Sequence, residues 1–417
     1  MQNQNQTTVI LVALILLIGT HFPGILLAQS LTVSGKVIDA ETGEPLAYAT
    51  LAVMGEAFGT ITNLAGDFDF YIPKEYHNRQ IVFSSLGYVN LNIGINDSLA
   101  NKIHIIKLQP GHIILDEVLV TENLSAGNLL RIAISRIEKN YPMSPVEMDG
   151  FYRDTKIVDG KYVSLLEAAV KIYDKDYKAP RDHTKLRERV SLVEVRRTFD
   201  YDYALKKYFN QYNVLEDLLL ENIVKYRTFN NEKEFFASLQ RKKVQGYNNR
   251  PIDLVFVEIP GYSLKIYIDE NYGIRKIYFG WGDGVEPIYT YRKSRKLENQ
   301  VMRLEKQIEY QEHNGKLYLK YIDAHYQHNW INRKTHSLEL TNARNQALMI
   351  NKVNFTSPTW IGNSEKMKRY GLQFQHKAYN KGFWERYNTI KEMPLNDKAH
   401  FDLEKRHSLE EQFESFN

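Results

Sequence analysis

Hydrophobic and polar residues alternate in short runs from Leu31 to about Leu108, beginning with Leu31, Val33, Gly35 and Val37 set against Thr32, Ser34 and Lys36. Side chains on a strand point to opposite faces with a period of two, so this pattern predicts strands with one face in a core. Asp39 to Pro45, DAETGEP, predicts a turn, since Asp, Gly and Pro each favour chain reversal. Ala49, Leu51 and Val53 form the next apolar face, and Phe68, Phe70 and Ile72 follow the loop at 63–66. Ile81 and Phe83 lead to Gly87-Tyr88, and KIHIIKL closes the series. Short strands punctuated by turn signals describe a small β-sandwich.

After Ser125 the period changes. Leu130, Ala133, Ile134 and Ile137 follow helical spacing behind Ser125 as a cap, and Tyr141-Pro142 ends the run. Helical spacing returns at 202–226, with Leu205, Tyr208, Phe209 and Tyr212 on one face continued by Leu215, Leu218 and Leu219, and again at 232–239. Asp159-Gly160 and Asn314-Gly315 each separate two β-like runs and predict hairpins. From Ile252 onward alternation dominates, with DENYG as a further reversal. The expected fold is mostly β with helices (α+β): a β-sandwich over 31–110, a linker at 111–124, and a larger antiparallel-sheet domain with packed helices over 125–417. The last residues, LEKRHSLEEQFESFN, predict a charged terminal helix or tail.

Length and charge narrow the picture. A chain of 417 residues suits two domains. A net charge of only +4, spread along the chain, does not make the concentrated positive face of a nucleic-acid binder. Short basic clusters at 241–243 and 292–296 read as solvated strand ends, with contact to an anionic lipid or polysaccharide as the other reading. There is no cysteine, which removes disulfides, thiolate zinc sites, cysteine nucleophiles and a lipidated cysteine anchor. The run VILVALILLI, the break at Pro23-Gly24 and the small residues around Ala28-Gln29-Ser30 predict a secretory signal peptide over 1–30. The flank MQNQNQTT lacks Lys and Arg, so a retained anchor over 9–28 is the competing reading.

Catalytic signatures do not emerge. His-Glu-x-x-His, a Gly-x-Ser-x-Gly elbow, a phosphate loop and a dinucleotide fingerprint are all missing from the sequence. The carboxylate pairs Asp200/Asp202 and Glu216/Asp217 lie among polar residues and read as surface acids. HSLE occurs at His336–Glu339 and at His407–Glu410, without the distant third ligand that a His-x-x-Glu zinc site needs. No catalytic residue, metal ligand or cofactor is therefore assigned.

Gly35-x-Val37-x-Asp39, Gly43-x-Pro45-Leu46, Gly59-Thr60-x-Thr62-Asn63, Gly66-x-Phe68 and Gly87-Tyr88 resemble the carboxypeptidase-regulatory-like domain. That family is a transthyretin-like, seven-stranded sandwich of bacterial envelope proteins; Asn63 stands where it often has Asp. The structural turn positions expected here are Gly43, Pro45, Gly59, Gly66, Gly87 and Tyr88. LDEVLVT at 115–121 resembles the segment that joins this domain to the plug of TonB-dependent transporters, though too little chain follows for their barrel. LKIYIDENYGIRKIYF is similar to strand pairs of half-barrel envelope proteins such as lipoprotein-sorting chaperones. These resemblances imply an exported, non-catalytic binding or scaffold protein of the periplasm or outer membrane of a Gram-negative bacterium. Its partner would be an envelope protein, glycan or lipid, with peripheral membrane association open. The alternatives are a lipid or lipoprotein carrier using a half-barrel, and a zinc metallocarboxypeptidase-related hydrolase.

Overall fold

The computed structural model describes residues 30–111, 124–199, 207–209, 214–367, 371–372, 375, 377–391 and 401–415. The leader, most of the 111–124 segment and the pair Asp200/Asp202 lie outside them.

The first part has seven strands: β1 (Leu31–Asp39), β2 (Thr50–Val53), β3 (Gly59–Ile61), β4 (Asp67–Ile72), β5 (Gln80–Ser84), β6 (Leu91–Gly94) and β7 (Ile103–Leu108). They form a three-stranded sheet, β4-β1-β7, and a four-stranded sheet, β3-β2-β5-β6. Alternation along β1 works as expected, with Leu31, Val33 and Val37 buried and Thr32 exposed. They pack against Leu51, Phe68, Phe70, Ile81, Phe83 and Leu108 in one core between the sheets.

The second part is an open sheet of eleven antiparallel strands: β8 (Val146–Val158), β9 (Lys161–Asp174), β10 (Arg189–Arg197), β11 (Gln240–Gln245), β12 (Pro251–Ile259), β13 (Tyr262–Ile268), β14 (Ile274–Trp281), β15 (Tyr289–Arg292), β16 (Leu297–His313), β17 (Lys316–Asn332) and β18 (Leu338–Asn354). Their order is β10-β9-β8-β18-β17-β16-β14-β13-β12-β11, with β15 beside β16. Both predicted hairpins form, since Asp159, Gly160, Asn314 and Gly315 all have the positive φ of a type I′ turn.

Both faces of this sheet are covered in its middle. Tyr152, Ala168, Ile322 and Leu348 point to the side covered by helices. Their neighbours Phe151, Ala169, Tyr321 and Met349 point the other way, into a cluster with Ile61 of the sandwich and with Trp384 and Ile390. The helices are α1 (Ala126–Ser135), α2 (Ile137–Asn140), α3 (Val214–Leu220), α4 (Ile223–Tyr226), α5 (Lys233–Ser238), α6 (Lys381–Trp384) and α7 (Leu409–Glu414). Ser125 caps α1 by accepting from Asn128 N at 3.3 Å. Gly127 lets α1 approach α5, because a Cβ there would lie 2.5 Å from Phe236 O. Among the described residues, no helix is long and apolar enough to cross a membrane.

One expectation changes. The helical run at 202–226 is not one helix in its described part: α3 and α4 are separated at Glu221-Asn222. Tyr208 and Phe209 pack with Trp330 and Leu340, whereas Leu215, Leu218 and Leu219 join the main core, so the two halves of the pattern serve different clusters. The expected C-terminal helix forms as α7, and it is docked. Ser408 and Glu411 form a reciprocal capping box at α7, and Leu409 and Phe413 pack against Leu165.

Charges distributed along the strands are absorbed by cross-strand pairing. Glu167 is fully buried and held between Arg153, at 2.5 Å, and Arg196, at 2.6 Å. Burial opposes its ionisation, yet the two guanidiniums hold its carboxyl below the usual range. Arg344 pairs with Asp154 at 2.9 Å, and Asp253 is shared by Arg241 at 2.7 Å and Lys243 at 2.8 Å.

Candidate functional site

The turn positions act locally. Asp39 Oδ1 accepts from Glu41 N at 2.7 Å and Thr42 N at 2.9 Å, which lets Gly43 take φ +75 before Pro45 returns beside Ile38. Asn63 Oδ1 accepts from Ala65 N and Asp67 N, at 2.9 and 2.8 Å, around Gly66 with φ +76. Tyr88 N donates to Ser85 O at 3.1 Å beside Gly87, φ +93, and Tyr88 Oη donates to Asp39 Oδ2 at 2.8 Å. Burial and that acceptor push the Tyr88 phenol up to about 12. Gly59 sits at the start of β3 and not in a turn. A Cβ there would lie 2.3 Å from Leu51 O, so close strand packing sets its identity. These residues shape the sandwich and do not converge on a pocket.

The polar groups that do converge lie where the sandwich meets the large sheet. β18 binds the sandwich through its backbone: Val353 N donates to Ala57 O at 2.9 Å. Tyr48 packs against Tyr321 with ring centroids 4.9 Å apart and the rings tilted by 31°, and Asn388 bridges both backbone groups of Tyr71. Beside this apolar seam is a cavity of about 180 Å³ lined by Tyr48, Leu64, Tyr162, Arg153, His325 and Asn345, among others.

Period-two geometry on β17 puts Tyr321, Asp323 and His325 on this face. His325 Nε2 lies 2.7 Å from Asp323 Oδ2, and Nδ1 lies 3.0 Å from Asn345 Oδ1. Burial disfavours the imidazolium, but two oxygen acceptors outweigh it, and the His325 pKa is raised. Among the described residues, the buried Asp323 Oδ1 has no hydrogen-bond partner. This oxygen is enclosed by the protein, and Asp323 does not itself line the cleft; His325 and Asn345 do.

A second cavity of about 240 Å³ lies along the same seam, lined by Thr50, Glu56, Tyr247, Arg275, Glu309 and Lys320, among others. The buried Lys320 donates to Glu309 Oε1 at 3.0 Å and to Thr50 of the sandwich. Burial works against Glu309, but Lys320 and Lys276 draw its pKa down to about 2. This cluster is internally neutralised and acts as a clasp.

Neither cleft was visible in the sequence, because Asp323 and His325 resemble any alternating polar pair and Asn345 becomes their neighbour only through the β17–β18 register. The two HSLE segments do not meet: His336 occupies the β17–β18 turn and His407 precedes α7. Among the described residues, no three His, Asp or Glu side chains cluster as metal ligands.

No curated protein matches this chain. Among solved structures, one described as lipid–protein interactions in lipovitellin has 8% identity over 56% of this chain and 27% of its own, with a TM-score of 0.25. The chain thus spans about a quarter of that protein, and so slight a similarity does not bear on function. Residues 33–120 match the model of the CarboxypepD_reg-like domain, which runs from β1 past β7. The N-terminal part of the chain is therefore a CarboxypepD_reg-like domain, with seven strands set against the flank of a larger sheet.

Proposed function

We propose that this chain is an exported, non-catalytic recognition protein of the bacterial cell envelope, in which the CarboxypepD_reg-like sandwich and the large sheet jointly frame a binding cleft. One observation carries the reading: at the seam between sandwich and sheet, a cleft of about 180 Å³ brings the rings of Tyr48 and Tyr162 together with the polar groups of Arg153, His325 and Asn345. Tyr48 and Tyr162 supply apolar ring faces, and Asn345 and Arg153 supply polar atoms. Rings beside amides, an imidazole and a guanidinium suit a sugar or a small polar side chain.

A lipid-carrier role is less well supported. The helix-covered face of the sheet is filled by Leu129, Leu130, Leu215, Leu218, Leu219 and Phe236.

The test is thermal shift and calorimetric titration with soluble peptidoglycan fragments and envelope glycans. Saturable binding that Tyr162→Ala and Asn345→Ala both weaken is expected. Binding unaffected by either change removes the cleft from the reading, and turnover of a bound fragment replaces recognition by catalysis. Acyl lipid recovered with the purified protein would favour the carrier instead.

A further inference from the structure

One end of the large sheet carries a surface unrelated to the seam. The β15–β16 connection and the β17–β18 turn lie side by side, since Arg333 N donates to Lys296 O at 2.9 Å. Arg333 Nη1 also reaches Arg295 O at 3.4 Å. This brings Arg292, Lys293, Arg295, Lys296, Arg333 and Lys334 to one edge, all exposed except the half-buried Arg333. No ion pair involves any of these six among the described residues.

Apolar groups are interleaved with the cations. On β15, which directly precedes the basic run, Tyr289 is 52% and Tyr291 41% exposed, with ring centroids 6.3 Å apart. Val285 before β15 is 74% exposed, and Leu338 after the neighbouring turn is 53% exposed. Among the described residues, β15 pairs only with β16, so its other edge is open. Of the acids nearby, Glu339 is already engaged by Tyr208 and Asn332, and Glu298 stands across the β15–β16 ladder from Arg292.

We propose that this tip docks on an anionic bilayer surface. Clustered Lys and Arg are attracted to acidic headgroups, while tyrosine rings settle at the boundary between headgroups and acyl chains. A soluble polyanion would satisfy the cations but leave Tyr289, Tyr291, Val285 and Leu338 in water. The two chemistries together select a membrane.

The experiment is co-sedimentation of the protein with vesicles of phosphatidylcholine alone and of phosphatidylcholine mixed with phosphatidylglycerol. Binding to the mixed vesicles that falls as salt rises is expected. Arg295→Gln with Lys296→Gln should weaken it roughly thirtyfold, since each basic residue near an acidic surface contributes about a fivefold step. Tyr289→Ser with Tyr291→Ser should weaken it with the salt dependence retained, and an unchanged melting midpoint certifies that each variant folds. Equal binding to both vesicle types, no binding to either, or full wild-type binding by the glutamine variant overturns the proposal. So does binding to dextran sulfate as tight as to vesicles with no loss in the serine variant, which would assign the tip to a soluble polyanion.

Discussion

Thr60 Oγ1 donates to Met349 Sδ across 3.5 Å, although 289 residues separate them. Thr60 is in the middle of β3 and Met349 is fully buried on β18, so this contact joins the sandwich to the sheet. Met349→Ala removes a side chain packed among Ile61, Phe151, Tyr321 and Trp384. The expected loss is about 2–5 kcal/mol, read by denaturant unfolding, with the sandwich released at lower denaturant than the sheet. A single transition at the wild-type midpoint would show that the seam contributes no stability.

Beneath the helices, the fully buried Lys225 lies 3.4 Å from Glu188 and donates to Asp174. One cation thus serves two buried carboxylates. Burial and the nearby Glu188 charge push the Asp174 pKa up to about 6, against the pull of Lys225. Lys225→Met strands both acids, and a loss of about 3–5 kcal/mol is expected. Adding Asp174→Asn and Glu188→Gln should restore part of it. A single variant with wild-type stability would contradict the network.

His325 gives a pH dependence. Its folded pKa is raised above 6.5, so the folded protein holds a proton that the unfolded chain releases first. That contribution is complete below pH 6.5 and is lost as pH rises through the higher folded value. Melting midpoints measured across neutral to mildly alkaline pH should fall in the wild type, and fall less in His325→Gln. Parallel curves for the two proteins would show that His325 has no raised pKa.

Gly66 has φ +76, and a Cβ there would lie 2.5 Å from Val37 O. Gly66→Val combines left-handed strain with a backbone clash, and should cost about 1–3 kcal/mol in chemical denaturation. Gly43, with the same handedness but nothing within 4 Å of an added Cβ, should tolerate Ala better. Equal losses at the two positions would mean that crowding does not matter.

The sandwich was legible because its strands have one wet face, so Leu31, Val33 and Val37 stand out from Thr32. Glycines that needed positive φ, such as Gly66 and Gly87, marked its turns. The middle of the large sheet was harder to read. On β9 the sequence LLEAAV is buried on both faces, which erases alternation, and Glu167 inside it resembles a surface acid until Arg153 and Arg196 arrive from neighbouring strands. Tyr208 and Leu215 share helical spacing yet belong to different cores, because spacing cannot reveal where a helix ends. The candidate site was hidden for a related reason: Asp323, His325 and Asn345 become one unit only through strand register, and Tyr48 reaches them from the far end of the chain.

Asn388 holds both backbone groups of Tyr71, and Lys391 pairs with Asp69 at 2.9 Å, so the edge of β4 is finished by residues more than three hundred positions later. On the ribosome, the first module emerges long before the segment that covers its flank. It must wait with that flank bare while the eleven-stranded sheet assembles, and the final turns then lock it in place. Truncation near the C-terminus should therefore loosen the beginning of the protein as much as its end.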